Sequence, residues 1–228
     1  MAITLVFDYD GTLHNTLGIY ERAFRQSYEW LVSEGHVTEQ YVSTEKISRW
    51  LGMNSKDMWS SFQPGLPKDI KEKAENIIGY SMVEQILNNK ATWYIGTEII
   101  LDELKKMGYN MVVLSNCKTA YKEANWKQFS MGQWFSKFYD CESFGFQPKT
   151  EIIKTVRKEN SEEFIVVGDR DSDLDCARAC GAKFIGCLYG FGADGELQGA
   201  DEVIRSIDEL PDKIKKIREQ MYTLKEKK

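Results

Sequence analysis

Two aspartates, Asp8 and Asp10, stand directly after the apolar run Ile3–Phe7 and are followed by Gly11 and Thr12. A second apolar run, 111–114, ends in Ser115-Asn116. A third and weaker run, 138–141, is followed by Pro148 and Lys149. A fourth, 164–167, runs into Gly168-Asp169-Arg170-Asp171-Ser172-Asp173. Brought to one rim, these segments would gather several carboxylates, a hydroxyl and an ammonium. Clustered carboxylates repel one another unless a cation neutralises them, and an all-oxygen donor set of this kind suits Mg2+.

The elements that must position these groups follow from periodicity. The four runs, with a fifth at 184–188 stopped by Gly190, are short and continuously apolar, as strands of a parallel sheet covered on both faces are. Helical patterns separate the later ones. Ile99, Ile100, Leu101, Leu104 and Met107 precede Gly108; Ile152, Ile153 and Val156 form another face; Leu174 to Cys180 form a third, closed by Gly181. In an open α/β sheet, ligands gather at the carboxyl ends of the strands, where all the polar segments named above lie. Residues 15–95 hold no convincing strand. Leu17, Tyr20, Phe24, Tyr28 and Leu31 are spaced as in a helix, as are Ile70, Ala74, Ile77 and Ile78 after Pro67. The expected organisation is a Rossmann-like α/β core with helices on both faces, formed by residues 1–14 and 96–228, carrying an all-α cap at 15–95. The basic stretch 213–228 is expected to be a solvated terminal helix with a thin apolar face.

Composition limits the functions open to such a fold. With 228 residues, 42% apolar and 29% charged, the chain is an ordinary globular protein. A net charge of −5 gives no broad footprint for nucleic acid. No apolar run reaches the ~18–20 residues that cross a bilayer. The first residues carry no basic region and no small-residue cleavage site, so a cytoplasmic protein is expected. Cys117, Cys141, Cys176, Cys180 and Cys187 are an odd set with no histidine nearby in sequence, and are expected to be buried thiols rather than disulfides or a metal site.

Asp8-Tyr9-Asp10-Gly11-Thr12 resembles the first motif of the haloacid dehalogenase superfamily, Asp-x-Asp-Gly-Thr. Ser115 resembles its second motif, Lys149 its third, and Gly168-Asp169 with Asp173 its fourth, Gly-Asp-x-x-x-Asp. Order and spacing agree from residue 3 to about 210. The helical insertion after the first motif is similar to the cap of the phosphoglycolate-phosphatase-like branch. In many relatives the third-motif lysine precedes a proline, whereas here Pro148 precedes Lys149.

The resemblance implies a Mg2+-dependent phosphatase acting on a small phosphorylated metabolite. Asp8 would attack phosphorus, a step for which a carboxylate, unlike a hydroxyl, needs no base. Asp10 would protonate the leaving oxygen and then activate water. A dehalogenase of the family lacks an aspartate there. Gly11 would let the backbone turn at the phosphate, and Thr12 would hold that turn with its hydroxyl. Ser115, Asn116 and Lys149 would contact the phosphate. Asp8, the Asp10 carbonyl, Asp169 and Asp173 would hold the metal. The segment Gly52-Met53-Asn54-Ser55-Lys56 is similar to a cap loop that meets substrate in relatives, with Lys56 as its reader. Two other functions fit the same residues: a phosphomutase of the same branch using the same aspartyl-phosphate, and a catalytically silent binding or regulatory protein. The intact Asp8, Asp10, Lys149 and Asp169 argue against the second.

Two further patterns have plainer explanations. The aspartates at 169, 171, 173 and 175 do not form an EF-hand loop, because its sixth and twelfth positions hold Leu174 and Cys180 instead of glycine and glutamate. Asp171 and Asp175 are then surface or helix-start residues. Residues 190–195 read Gly-x-Gly-x-x-Gly after a strand, but no amphipathic helix or full βαβ unit follows, so they are expected to form a loop and not a dinucleotide site.

Overall fold

The computed structural model describes residues 3–53, 55–160 and 163–226, the last three by backbone alone. Asn54 of the expected cap loop and residues 227–228 of the basic tail lie outside the described residues. Six strands form one sheet: β1 (Ile3–Phe7), β2 (Asn110–Ser115), β3 (Lys137–Asp140), β4 (Glu163–Gly168), β5 (Lys183–Cys187) and β6 (Glu202–Ile204). Their order is β3-β2-β1-β4-β5-β6, and every pairing is parallel. The chain leaves β1 toward β2 and β3, then returns to its other side for β4. This reversal opens a crevice at the carboxyl ends of the central strands.

Burial on both faces explains the continuous apolar strands. Leu5 and Phe7 face one hydrophobic cluster with Leu101 and Leu104 of α5 (Thr97–Lys106), and with Leu210, Ile214 and Ile217 of α9 (Leu210–Glu226). Val6 faces the other cluster, with Ile152, Ile153 and Val156 of α7 (Lys149–Glu159) and Leu174 and Ala177 of α8 (Asp171–Cys180). On α5 the expected apolar face is narrower than the sequence pattern: Ile99 and Met107 are exposed. The terminal helix departs from expectation more clearly. It begins at Leu210, and its buried face is a full part of the core. Strand β6, too short and too polar at Glu202 to stand out as an apolar run, closes the sheet edge. All five cysteines are buried free thiols.

Among the described residues, four helices lie between β1 and α5: α1 (Leu17–Ser33), α2 (Thr44–Ser48), α3 (Ser55–Phe62) and α4 (Lys68–Leu87). They enclose a third hydrophobic cluster of their own. Phe24 packs at ring-centroid distances of 5.0 Å from Trp50 and 5.1 Å from Phe62. Truncating an aromatic at such a position typically costs about 3–5 kcal/mol. Ser27 Oγ donates to the Ala74 carbonyl at 2.9 Å, tying α1 to α4. One further core helix, α6 (Thr119–Gln128), follows β2 and has little periodicity to betray it.

Candidate active site

Asp8 is the first residue after β1, and its backbone N–H donates to the Val167 carbonyl of β4 at 2.8 Å. The carboxylate is therefore fixed at the crevice. Lys149, the first residue of α7, reaches it from the other side. The Lys149 ammonium donates to Asp8 Oδ1 and, at 2.7 Å, to Asp173 Oδ1. Pro148 stands immediately before the helix, where its fixed φ suits the helix entry. The inverted Pro-Lys order thus still delivers the lysine to the crevice. Asp8, Asp169 and Asp173 each offer an oxygen within 4.8 Å of the others, and all three are buried. The donors are hard oxygens, one following β1 and two from the junction of β4 and α8, so the arrangement fits Mg2+.

The electrostatics follow from this crowding. Burial, then Asp173, and to a smaller degree Asp169, push the Asp8 carboxyl well up, against the opposing pull of Lys149. Burial and Asp173 push Asp169 up to about 7. Burial alone would lower the Lys149 ammonium, but Asp173 and Asp8 outweigh it and keep it protonated. A divalent cation among the three carboxylates would reverse the sense of the two aspartate shifts.

Asp10 faces away from this cluster, into a network that sequence reasoning did not find. Its Oδ1 accepts hydrogen bonds from Thr16 Oγ1 and Tyr121 Oη, both at 2.6 Å. His14 Nδ1 lies 3.5 Å from the same oxygen and 2.9 Å from both hydroxyl oxygens. Burial alone would raise the Asp10 carboxyl; His14, Thr16 and Tyr121 together bring it below the usual carboxylate range. Burial and the Asp10 charge push the Tyr121 phenol far up, so it stays a donor. Tyr9, between the two aspartates, points into the core instead, where its hydroxyl donates to Asn125 Oδ1 at 2.8 Å.

Gly11 and Thr12 serve the site differently from expectation. The Gly11 N–H donates to the His14 carbonyl at 3.0 Å, so it is already committed within the turn. Gly11 has φ +90, and a Cβ there would lie 2.3 Å from Asp169 Oδ2. It is required for close approach to Asp169 and does not line the cavity. The Thr12 hydroxyl donates to Asp169 Oδ1 at 3.2 Å instead of closing its own turn. The glycines at 190 and 192 share the Gly11 duty: a Cβ at Gly190 would lie 2.2 Å from Asp169 Cβ, and one at Gly192 2.2 Å from the Asp169 carbonyl oxygen. The Phe191 N–H between them donates to Asp169 Oδ2 at 2.7 Å. The 190–195 segment is a loop, as expected, and it cradles a carboxylate. Asp171 and Asp175 are exposed, as the rejection of a calcium loop requires.

A cavity of about 190 Å3 opens beside Asp8, Asp10, Ser115 and Lys149. The helices α1, α3 and α4 and the loop before α3 supply its other wall, through Tyr20, Trp50, Leu51, Met58, Ile78 and Met82. Ser115 and Asn116 line it at the end of β2, and the Asn116 amide also donates to the Gly52 carbonyl at 3.4 Å. Lys56 does not line it. It is exposed on α3, after the loop whose Leu51, Gly52 and Met53 provide the wall. Besides Asp8, Asp10 and Lys149, the charged groups that line it among the described residues are Glu75 of α4 and Lys118, just before α6, whose side chains approach to 4.0 Å. Neither carries a sequence signal.

The family model for haloacid dehalogenase-like hydrolases matches residues 5–187. A glyceraldehyde 3-phosphate phosphatase from Methanocaldococcus jannaschii is 28% identical, the match covering 94% of this chain and 97% of that one. A phosphoglycolate phosphatase from Pectobacterium atrosepticum is 24% identical over 91% and 90% of the two chains. The crystal structure of a predicted phosphatase from Clostridium acetobutylicum superposes with a TM-score of 0.80 at 22% identity, covering 95% of this chain and 99% of that one, a likeness of fold. Among the described residues no helix is long and apolar enough to cross a membrane. With the matched segment spanning Asp8, Ser115, Lys149, Asp169 and Asp173, this chain belongs to the haloacid dehalogenase-like hydrolase family.

Proposed function

We propose that the protein is a Mg2+-dependent phosphatase that hydrolyses a small phosphorylated metabolite through an aspartyl-phosphate at Asp8. The observation that carries this reading is the buried meeting of Asp8, Asp169, Asp173 and Lys149 at the mouth of a cavity that Asp10 also lines. Asp8 attacks phosphorus as a carboxylate. Lys149 and Ser115 take the non-bridging oxygens, whose charge grows in the transition state. Asp8, Asp169, Asp173 and the Asp10 carbonyl are the groups that would hold Mg2+, which would supply neutralising positive charge among the carboxylates and toward the phosphoryl group. Asp10 is placed for general acid–base work. Its resting network of Thr16, Tyr121 and His14 favours the base, the form that activates water. The acid form needs a release from at least one donor as the phosphate enters, and the anionic phosphate itself raises a neighbouring carboxyl. The helices α1–α4 act as the cap that excludes water from the reacting groups.

Among phosphate esters, one pairing favours an uncharged carbon skeleton. Lys149 is engaged by Asp8 and Asp173, and Lys118 lies beside Glu75. A substrate carboxylate, as in phosphoglycolate, would have to compete with Glu75 for Lys118. Aldehyde or hydroxyl groups, as in glyceraldehyde 3-phosphate, can hydrogen-bond to that pair without separating it.

The test is phosphate release from a panel of phosphorylated metabolites. Mg2+ is expected to support turnover, chelator to stop it, and Ca2+ to fail to restore it, since Ca2+ takes more ligands in a looser geometry. Full turnover in excess chelator overturns the metal role. Isomerised phosphate instead of free phosphate would make the protein a mutase. A higher kcat/KM for phosphoglycolate than for glyceraldehyde 3-phosphate overturns the skeleton preference.

A further inference from the structure

Arg170 follows Asp169 and caps α8, with an extended backbone at φ −119 and ψ 160. Nothing in the proposed chemistry uses it, yet its side chain is buried, at 7% exposure for the residue as a whole. Three sets of contacts hold it. The guanidinium Nε donates to Glu196 Oε2 at 2.8 Å, with Nη2 3.4 Å from Oε1. Nη1 donates to the backbone carbonyl of Leu51, in the loop between α2 and α3. The Arg170 backbone N–H donates to Asp173 Oδ2 at 3.1 Å. Glu196 is itself braced, accepting the Ala193 N–H at 3.0 Å. Gly52 lies against the arginine stem: with φ +78, a Cβ there would stand 3.2 Å from Arg170 Cγ.

The loop so held is a wall of the cavity, through Leu51, Gly52 and Met53. It is gripped at two successive carbonyls from the ends of two different strands. Arg170, after β4, takes Leu51, and Asn116, after β2, takes Gly52. Asp8 follows β1, the strand between them. A buried charge-assisted hydrogen bond is about twice as strong as a neutral one, and the planar fork of arginine can serve a carboxylate and a carbonyl at once.

We propose that Arg170 is a positioning residue that latches the 51–53 loop over the nucleophile. Its side chain holds the loop while its backbone N–H holds Asp173, so closure of the helical wall and placement of the carboxylate cluster are mechanically joined. The part this plays in turnover rests on the phosphatase reading; the latch itself does not. Closing contacts of this kind act mainly on kcat, because they complete the site after substrate has entered.

The test uses the full chain with three substitutions, Arg170→Gln, Arg170→Lys and Glu196→Gln. Two readouts are needed: hydrogen exchange of peptides covering 50–53, and steady-state hydrolysis of p-nitrophenyl phosphate with Mg2+. Arg170→Gln is expected to raise exchange at 50–53 by about tenfold or more, the scale of one lost charge-assisted hydrogen bond, with β1 and β4 unchanged. It should lower kcat by a similar factor with KM within about twofold. Arg170→Lys should recover part of both effects, and Glu196→Gln should show them more weakly. Unchanged exchange at 50–53 in folded Arg170→Gln overturns the latch, as does a uniform rise through β1 and β4. If Arg170→Gln does not fold, Glu196→Gln decides: unchanged exchange at 50–53 overturns the proposal and a local rise supports it. A wild-type protein that releases no phosphate from any ester would defeat the phosphatase reading, while exchange would still decide the latch.

Discussion

The two walls of the cavity are built on opposite principles. The sheet side is ionic. Asp8, Asp169, Asp173 and Lys149 are buried; Lys149 pairs with Asp8 and Asp173, Asp169 accepts from the Thr12 hydroxyl and the Phe191 N–H, and all four stand at strand ends or helix starts. The helical side is apolar. Tyr20, Trp50, Met58 and Met82 line it, and most of them also pack in the hydrophobic cluster of α1–α4. Charges that must stay within a few tenths of an ångström of a reacting atom need a rigid frame, and strand ends provide one. An apolar wall tolerates repacking, because dispersion and burial have little directionality. The ionic wall should therefore fail sharply under substitution, and the apolar wall gradually.

The largest expected effect is on the ionic wall. Asp8→Asn should lower phosphate release by about a thousandfold or more and form no hydroxylamine-sensitive phosphoenzyme, while circular dichroism stays native. Turnover near wild type in a folded variant would remove the nucleophile from the proposal. Next comes the carboxylate cradle. A methyl at Gly190 would meet Asp169 at 2.2 Å. Gly190→Ala should displace that carboxylate and raise the Mg2+ concentration for half-maximal activity by roughly tenfold or more, as loss of an outer support typically does. Titration of activity with Mg2+ reads this directly.

A smaller effect is expected where the two walls meet Asp10. Tyr121→Phe and Thr16→Val each remove one hydroxyl donor from its Oδ1 and should lower kcat by about tenfold each. Losses much smaller than additive in the double variant would show that the two hydroxyls act as a unit. The apolar wall should respond less steeply. Met58→Leu conserves volume in a buried position, so kcat/KM should stay within about threefold. Lys56→Ala, on the exposed face of α3, should change kcat/KM by less than about twofold on any substrate. A selective loss on the preferred metabolite would restore Lys56 as a reader of substrate and contradict the placement of its side chain.

The same contrast governs what was legible. The ionic wall was readable because each component is a short local signal: an apolar run, then a polar residue where the strand stops. Parallel strands deliver such residues to a single edge whatever the details of packing. The apolar wall was not readable, because a methionine or tryptophan at helical spacing looks the same whether it fills a core or faces a cavity. Lys56 illustrates the point. A charge near a loop suggests a reader, but one residue's rotation along α3 turns it to solvent. The terminal helix was misjudged for a related reason. Among its described side chains only those at 210, 214 and 217 are buried, and their weight depends on the sheet face beneath them.

By itself the sequence determined five of the six strands of the α/β core and most of the helices that cover them, the helical block after β1, and the identity of the charged groups at the crevice. These follow from the period of apolar residues and from where each run ends. Only the tertiary structure decided how those groups are supported. Tyr121 reaches Asp10 across 111 residues of chain, and Arg170 reaches Leu51 across 119. The Leu51 partner is a backbone carbonyl, which no residue type announces. The glycines at 190 and 192 had no visible purpose until Asp169 was found packed against them. Contacts of this kind arise from long-range packing, where shape and hydrogen-bond satisfaction choose the partner, and local periodicity carries no record of that choice.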